Sequence, residues 1–392
     1  MVATAAAHTT RAAKDRHVLA IQDTTELNFS GHVQSKRGFG TVGNGIDIGL
    51  FLHPVIVTDA DQGGMLGLAA AMVLNRTERA TTPRRKRPIG EKESRRWLDG
   101  LSAAGAVLAT ARLVTVIADR ECDIYAELAA PRPAPVHLLI RAGQDRALAG
   151  GGRLFAVGDG FAVVGRRTIA VPARPGRAAR PTEVGIGFGA VTIARPAHEK
   201  DGPAHVAMRL VTVREIAPPA GEKPIVWRLL TTHAVPDLAA ACRLIDWYRQ
   251  RWVIEQVFRT LKTQGFDIEE SQVLDPATMI KLATAAVIAA VRVMQLVMAR
   301  DGTTAQKLAD ALDPANEPVI EALVSKLEGA TEKQKNPHPK GTLARFAWVV
   351  GRLGGWDGYV GHGYKPAGPK TMAYGLQRFD AVRQGWELPK NV

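Results

Sequence analysis

Cysteine is nearly missing from this 392-residue chain, which holds only Cys122 and Cys242. Two cysteines cannot build a disulfide scaffold or a four-cysteine zinc site. None of the ten histidines stands at zinc-motif spacing from either, so a structural zinc centre is not expected. Long apolar runs are also lacking. The longest, residues 282–291, is flanked by Lys281 and Arg292 and is too short to cross a bilayer. Residues 1–17 have no apolar core of the kind a secretory signal needs. These absences point to a cytoplasmic protein with no membrane partner. Acids are the scarcer charge, 38 against 51 lysines and arginines, for a net charge of +13. That surplus favours polyanions through counterion release and makes nucleic acid the first partner to consider; a basic protein without a specific nucleic-acid partner has the same balance. With 46% apolar and 23% charged residues, the composition is that of a folded chain long enough for two or three domains.

The pattern along the chain is α/β. Residues 1–17, rich in alanine and threonine, are expected to be a flexible tail. Short apolar runs at 18–23, 45–52, 55–58, 66–74, 113–118 and 136–140 predict buried strands, with helices from about residue 91 and over 123–130. From 142 to 223, glycine and proline punctuate short alternating runs at 161–164, 184–193 and 207–213, which predicts an all-β insertion. Between Phe161 and His198 there are six arginines (Arg166, Arg167, Arg174, Arg177, Arg180 and Arg195) against the single acid Glu183. Either a DNA-facing β surface or a solvated loop would give that bias. After a strand at 225–232, helical periodicity dominates at 237–263, 277–300, 318–328 and 342–351.

Two apolar runs end alike, in Ala-Ile-Gln-Asp23 and Val-Ile-Ala-Asp119. Carboxylates at the ends of neighbouring strands can share hard divalent cations, although a strand-terminal aspartate also caps turns. In the segment 237–263, Tyr248, Arg251, Glu255 and Lys262 stand at offsets 0, 3, 7 and 14, within about 60° of one helical face at ~100° per residue. Trp247, Ile254, Phe258 and Leu261 form an adjoining apolar flank, and Trp252 and Arg259 border the stripe. A solvated helix face is the alternative reading of such a stripe.

Those four residues also carry a resemblance. Tyr248-x2-Arg251-x3-Glu255-x6-Lys262 resembles the Y-R-E-K signature of bacterial insertion-sequence DDE transposases, specifically the insertion-sequence-four family. Gln22-Asp23-Thr24-Thr25 is similar to the family's first acid motif, and Asp119-Arg120-Glu121-Cys122-Asp123-Ile124 to its second. Glu91-Lys92-Glu93-Ser94-x2-Trp97-Leu98, Leu353-Gly354-Gly355-Trp356 and Gly375-Leu376-Gln377-Arg378-Phe379 extend the likeness from about residue 18 to residue 385. The resemblance implies an RNase H-like catalytic core over 18–141 and 224–300. It further implies an inserted all-β subdomain over 142–223 and an α-helical C-terminal region over 301–392 that pairs two subunits.

It implies, too, that Asp23, Asp119 and Glu255 hold two Mg2+ ions, with Mn2+ able to substitute, for nicking, hairpin formation and strand transfer. The implied partner is double-stranded DNA, both transposon ends and target, bound by a homodimer at the nucleoid. Tyr248, Arg251 and Lys262 match family positions that hold phosphates. Trp227 and Trp252 match aromatics near a flipped base, while burial in a strand is the plain alternative for Trp227. The family also carries a helical region of several dozen residues before the first acid. Here 22 residues precede Asp23, and residues 1–17 show no amphipathic pattern. A weak preference for the element's own terminal repeats is therefore expected, unless the recorded start lies downstream of the true one. A shortened DNA-binding regulator without turnover is the alternative function, and a stand-alone nuclease a third.

Two patterns are weaker. Gly38-Phe-Gly40-Thr-Val-Gly43 fits a dinucleotide-binding fingerprint, but a strand rather than a helix is expected after it. Pro83-Arg-Arg-Lys-Arg87-Pro88 is a basic knot that fits either a DNA-backbone contact or a solvated loop.

Overall fold

A computed structural model describes residues 1–32, 36–43, 45–77, 87–171, 178–359 and 365–387. Helix α1 (Val2–Ala13) leads into β1 (His17–Gln22), β2 (Thr25–Asn28), β3 (Gly40–Thr41), β4 (Ile48–Asp59) and β5 (Met65–Leu74). Next come α2 (Arg95–Val107), β6 (Leu113–Ala118), α3 (Tyr125–Ala129), β7 (Val136–Arg141) and α4 (Leu154–Asp159). Strands β8 (Gly165–Val171), β9 (Arg180–Ala194), β10 (His205–Glu215) and β11 (Val226–Thr231) precede α5 (Leu238–Arg249) and α6 (Trp252–Lys262). The remainder is helical, with α7 (Pro276–Ala299), α8 (Glu317–Leu327), α9 (Leu343–Leu353) and α10 (Pro369–Glu387). The chain divides into two compact units, one of Met1–Ala80, Ala106–Arg112 and Trp252–Val392, the other of Thr81–Gly105 and Leu113–Arg251.

In the first unit β4 is the axis. Its twelve residues are buried save for the first, because partners cover both edges. Strands β1 and β2 pair antiparallel along one edge, β3 and β5 along the other. Separate strands were expected at 45–52 and 55–58; instead one strand runs through both and through Pro54 between them. Pro54 is tolerated because it falls between the β1 ladder, which ends at Gln22 opposite Val55, and the β2 ladder, which starts at Thr25 opposite Leu52.

Residues 1–17 do not form the flexible tail expected of them. Alanine is the best helix former, and Ala6, Thr9, Ala12 and Ala13 bury one face of α1. Small residues make that face, so apolar periodicity does not reveal it. The Thr9 hydroxyl donates to Leu68 O at 2.9 Å and accepts from Leu68 N at 3.0 Å, fixing α1 to β5. A Cβ at Gly67 would lie 2.3 Å from Thr9 Oγ1, so glycine is what permits that approach.

Helix α7 is 24 residues long and, by length and composition, apolar enough to cross a membrane, which the run 282–291 alone did not suggest. Yet 56% of its most apolar window is buried inside the protein, as in a core helix. It packs on β5, α6, α9 and α10. Residues 301–392 therefore do not stand apart as a separate region. Val293 and Leu296 of α7 share one core with Ile320, Phe346, Trp348 and Phe379, the last edge-on to Phe346 at 4.7 Å.

The second unit begins with the parallel pair β6 and β7. Antiparallel pairing continues through β11, β10, β9 and β8. The insertion is thus not an all-β subdomain of its own. It contains the helix α4, and its strands extend the β6–β7 sheet because β10 satisfies the backbone edge that β11 would otherwise expose. The run 161–164 is not a strand. Gly187 and Gly189 leave room for Phe161, whose ring a Cβ at Gly189 would meet at 2.7 Å.

One ionic clamp holds the far strands. The Glu215 carboxylate, buried at the end of β10, accepts from Arg180 Nη1 at 2.5 Å, Thr182 Oγ1 at 2.7 Å and Ile225 N at 3.0 Å. The Arg180 hydrogen bond is the chief reason its pKa falls from 4.5 to about 2. A depressed carboxylate contributes stability above its unfolded pKa and loses it as pH falls through the folded one. Glu215→Gln should therefore lower Tm by several degrees at pH 7. In thermal melts the gap to the parent protein should close between pH 4.5 and about 2; a gap independent of pH would show that charge is not the cause.

Candidate metal and nucleic-acid site

Asp23 follows the fully buried strand β1 and is itself 8% exposed. Its Oδ1 accepts from Thr24 N at 2.8 Å. The flanking side chains meet one imidazole: Thr24 Oγ1 lies 2.8 Å from His53 Nδ1, and Gln22 Oε1 lies 3.2 Å from His53 Nε2. His53 is fully buried in β4.

Glu255 lies in the first turn of α6, where a carboxylate suits the positive end of the helix. Ile254, Val257, Phe258, Thr260 and Leu261 bury the opposite side, with the Thr260 hydroxyl on Met294 Sδ of α7. Lys262 pairs with Glu269 at 3.2 Å, and Glu269 Oε1 also accepts from Asn28 N of β2. Part of the Lys262 charge is therefore already compensated. Trp252 is 51% exposed, a large aromatic face left to solvent.

In the second unit Asp119 follows β6. Its Oδ1 accepts from Glu121 N at 2.8 Å, capping the turn at 120–122. Asp123, in the same motif, is committed to structure. It takes Arg146 Nε at 2.7 Å together with the amides of Gly143 and Gln144, and is 1% exposed.

Tyr248, near the end of α5, is 6% exposed. Burial pushes its phenol above the ordinary range and the Asp119 charge adds to this, while Arg251 and Arg141 pull it down. The phenol stays protonated, hydrogen-bonded to the Arg141 guanidinium. Burial lowers the Arg141 pKa, and the nearby charges of Arg120 and Arg251 lower it further. Trp227, half-buried on β11, stands edge-on to Tyr248 at 6.0 Å between ring centroids.

Asp119, Tyr248, Arg251 and Trp227 thus share one neighbourhood, joined by Arg120 and Arg141. Sequence reasoning missed Arg141 and His53. Both sit in or at the end of apolar strands, and no motif marks them.

The charged stripe is not a single helix. The ladder tightens to i→i−3 bonds at Gln250 and Arg251, whose amides donate to Trp247 O and Tyr248 O, and this divides the expected helix into α5 and α6. Tyr248 ends one helix, Arg251 lies in the turn, and Glu255 and Lys262 ride on the next.

The arginines of the insertion are largely engaged. Arg166 pairs with Glu183, Arg167 with Asp246, Arg180 with Glu215 and Glu222, and Arg195 donates to the carbonyls of Lys200 and Gly202. Arg174, Arg177 and most of the basic knot at 83–88 lie outside the described residues. The glycine pattern at 38–43 leads through β3 into β4, so no helix follows it.

Among the described residues, neither unit on its own gathers three His, Cys, Asp or Glu side chains placed to share a metal ion. Asp23, Asp119 and Glu255 each offer only carboxylate oxygens, the donor type that hard divalent cations prefer.

Residues 58–292 match a family model described as Transposase DDE domain. The matched stretch includes Asp119, Trp227, Tyr248, Arg251, Trp252, Glu255 and Lys262, and Asp23 precedes it. Among solved structures, the piggyBac transposase synaptic complex with hairpin DNA is similar at 10% identity and a TM-score of 0.36. The similarity covers 97% of this chain and 59% of that one.

Proposed function

Because the chain belongs to the transposase DDE domain family, we propose that it is a DNA transposase of the insertion-sequence-four type, built on an RNase H-like core. The observation that supports this most is that the Asp119 charge reaches the Tyr248 phenol, which is hydrogen-bonded to Arg141 and also feels the Arg251 charge, so that donors suited to phosphate gather near a carboxylate. Asp23, Asp119 and Glu255 would hold two divalent cations, Mg2+ or in its place Mn2+. Such ions activate an attacking hydroxyl and neutralise the leaving oxygen in phosphoryl transfer.

The chain's own groups do the rest. Arg251, Arg141 and the neutral Tyr248 phenol grip backbone phosphates, which fixes register without reading sequence. Lys262 adds a further cation on α6. The half-buried Trp227 offers a stacking face for an extruded base, with the exposed Trp252 as a second. Nicking, hairpin formation, hairpin opening and strand transfer would follow in order at the nucleoid. A homodimer would carry them out, and exposed Tyr374, Val382 and Trp386 on α10 provide an apolar face for a second copy.

The direct test is incubation with Mg2+ and the flanking repeat DNA, with 3′-end nicks as the expected product. DNA binding without cleavage under any divalent metal would favour the regulator instead. Trp227→Ala should slow hairpin formation about 5- to 150-fold, since stacking is worth ~1–3 kcal/mol per base, with little effect on first-strand nicking. Gel assays that resolve the two products check this. Equal loss in both would assign Trp227 to packing against Tyr248.

A further inference from the structure

Strands β1 and β2 lie on β4 in one continuous register. Ala60 N donates to His17 O at one end and Phe29 N to Ile48 O at the other. Bonded pairs in an antiparallel ladder recur at every second residue. Between those two ends, the bonded position in the middle therefore pairs residue 23 with residue 54. There β4 presents a proline, which has no N–H to give. Pairing stops at Gln22 and resumes at Thr25. The one interruption in this ladder thus covers Asp23 and Thr24 and opens where Asp23 faces Pro54, so β4 dictates it.

His53 secures the two sides of the gap. Thr24 lies directly opposite it and Gln22 diagonally, and each holds one ring nitrogen. Gln22 and Thr24 are thereby tied to the His53 face, and side-chain alternation turns Asp23 the other way.

We propose that Pro54 and His53 are positioning residues for Asp23. The proline releases the Asp23 carbonyl from the sheet, and the histidine anchors the residues on either side, so that the carboxylate is held at a break rather than within a strand. The proposal rests on the reading of Asp23 as a metal ligand.

Pro54→Ala tests it in the full chain. The substitution supplies the missing amide, which should close the ladder and leave Tm equal or higher. In hydrogen exchange, the amide that the substitution introduces should be protected. Mn2+ binding by calorimetry and Mg2+-dependent nicking should each weaken ~10–100-fold, the range found when groups that orient a metal ligand are altered. A purely structural proline predicts the reverse, with activity following stability. A freely exchanging new amide overturns the proposal, and so does a protected one with parental Mn2+ affinity and nicking. Asp23→Asn, run beside it, addresses the ligand reading alone. Near-normal cleavage in that variant would remove the ligand role, and protection of the new amide would still report whether the ladder closes.

Discussion

Asp119→Asn is expected to abolish Mg2+-dependent cleavage while leaving the protein folded. The Glu121 amide needs only an oxygen acceptor, and the asparagine carbonyl supplies one, so the turn after β6 keeps its cap. The negative charge is what disappears. Losing a metal-binding carboxylate forfeits several kcal/mol of transition-state stabilisation, ~10³-fold or more in rate. Little change in Tm, together with DNA binding close to the parent's, would separate this from unfolding. Nicking at a near-normal rate by the variant would sink the assignment of Asp119 to the metal site.

Affinity for DNA should collapse with salt. A protein that contacts ~6–10 phosphates loses ~10³–10⁵ in affinity between 50 and 200 mM salt. Arg251 and Arg141 are the best-placed cations near Asp119. Like Arg141, which already donates to Val226 O, Lys262, paired with Glu269, and the engaged arginines of the insertion must exchange a protein partner for a phosphate. The slope of log affinity against log salt should accordingly fall by about one on Arg251→Ala, equally for repeat-end and scrambled DNA. Fluorescence anisotropy across a salt series measures both quantities. A flat profile would mean that the net charge of +13 has no part in nucleic-acid binding.

Strands β1 and β6 were legible from sequence because each is an unbroken apolar run closed by an acid. Features that depend on distant pairing were not legible. Nothing local to residues 142–223 announces that β10 will lie on β11 and so join the insertion to the β6–β7 sheet. The break at Gln250 and Arg251 escaped notice because no glycine or proline marks it; the backbone simply tightens there. Helix α1 was hidden by its own composition, since a face of alanine and threonine carries almost no hydropathy signal. Arg141 and His53 become meaningful only once Tyr248, Gln22 and Thr24 are seen beside them. Periodicity reports what a segment is, and contacts across the sequence decide what it does.

The order of the two units along the chain bears on how the protein is made. Most of the second unit is a nearly unbroken stretch between residues 81 and 251, whereas the first begins at Met1 and is completed only after Trp252. A ribosome delivers about 5–20 residues per second, so strands β1 to β5 wait roughly ten to forty-five seconds for α6 and α7 to emerge. During that interval the apolar surface of β5 that α7 later covers is open to water and to other nascent chains. The second unit can close meanwhile. The half bearing Asp119 can therefore close first, while the half bearing Asp23 and Glu255 depends on segments that follow residue 251.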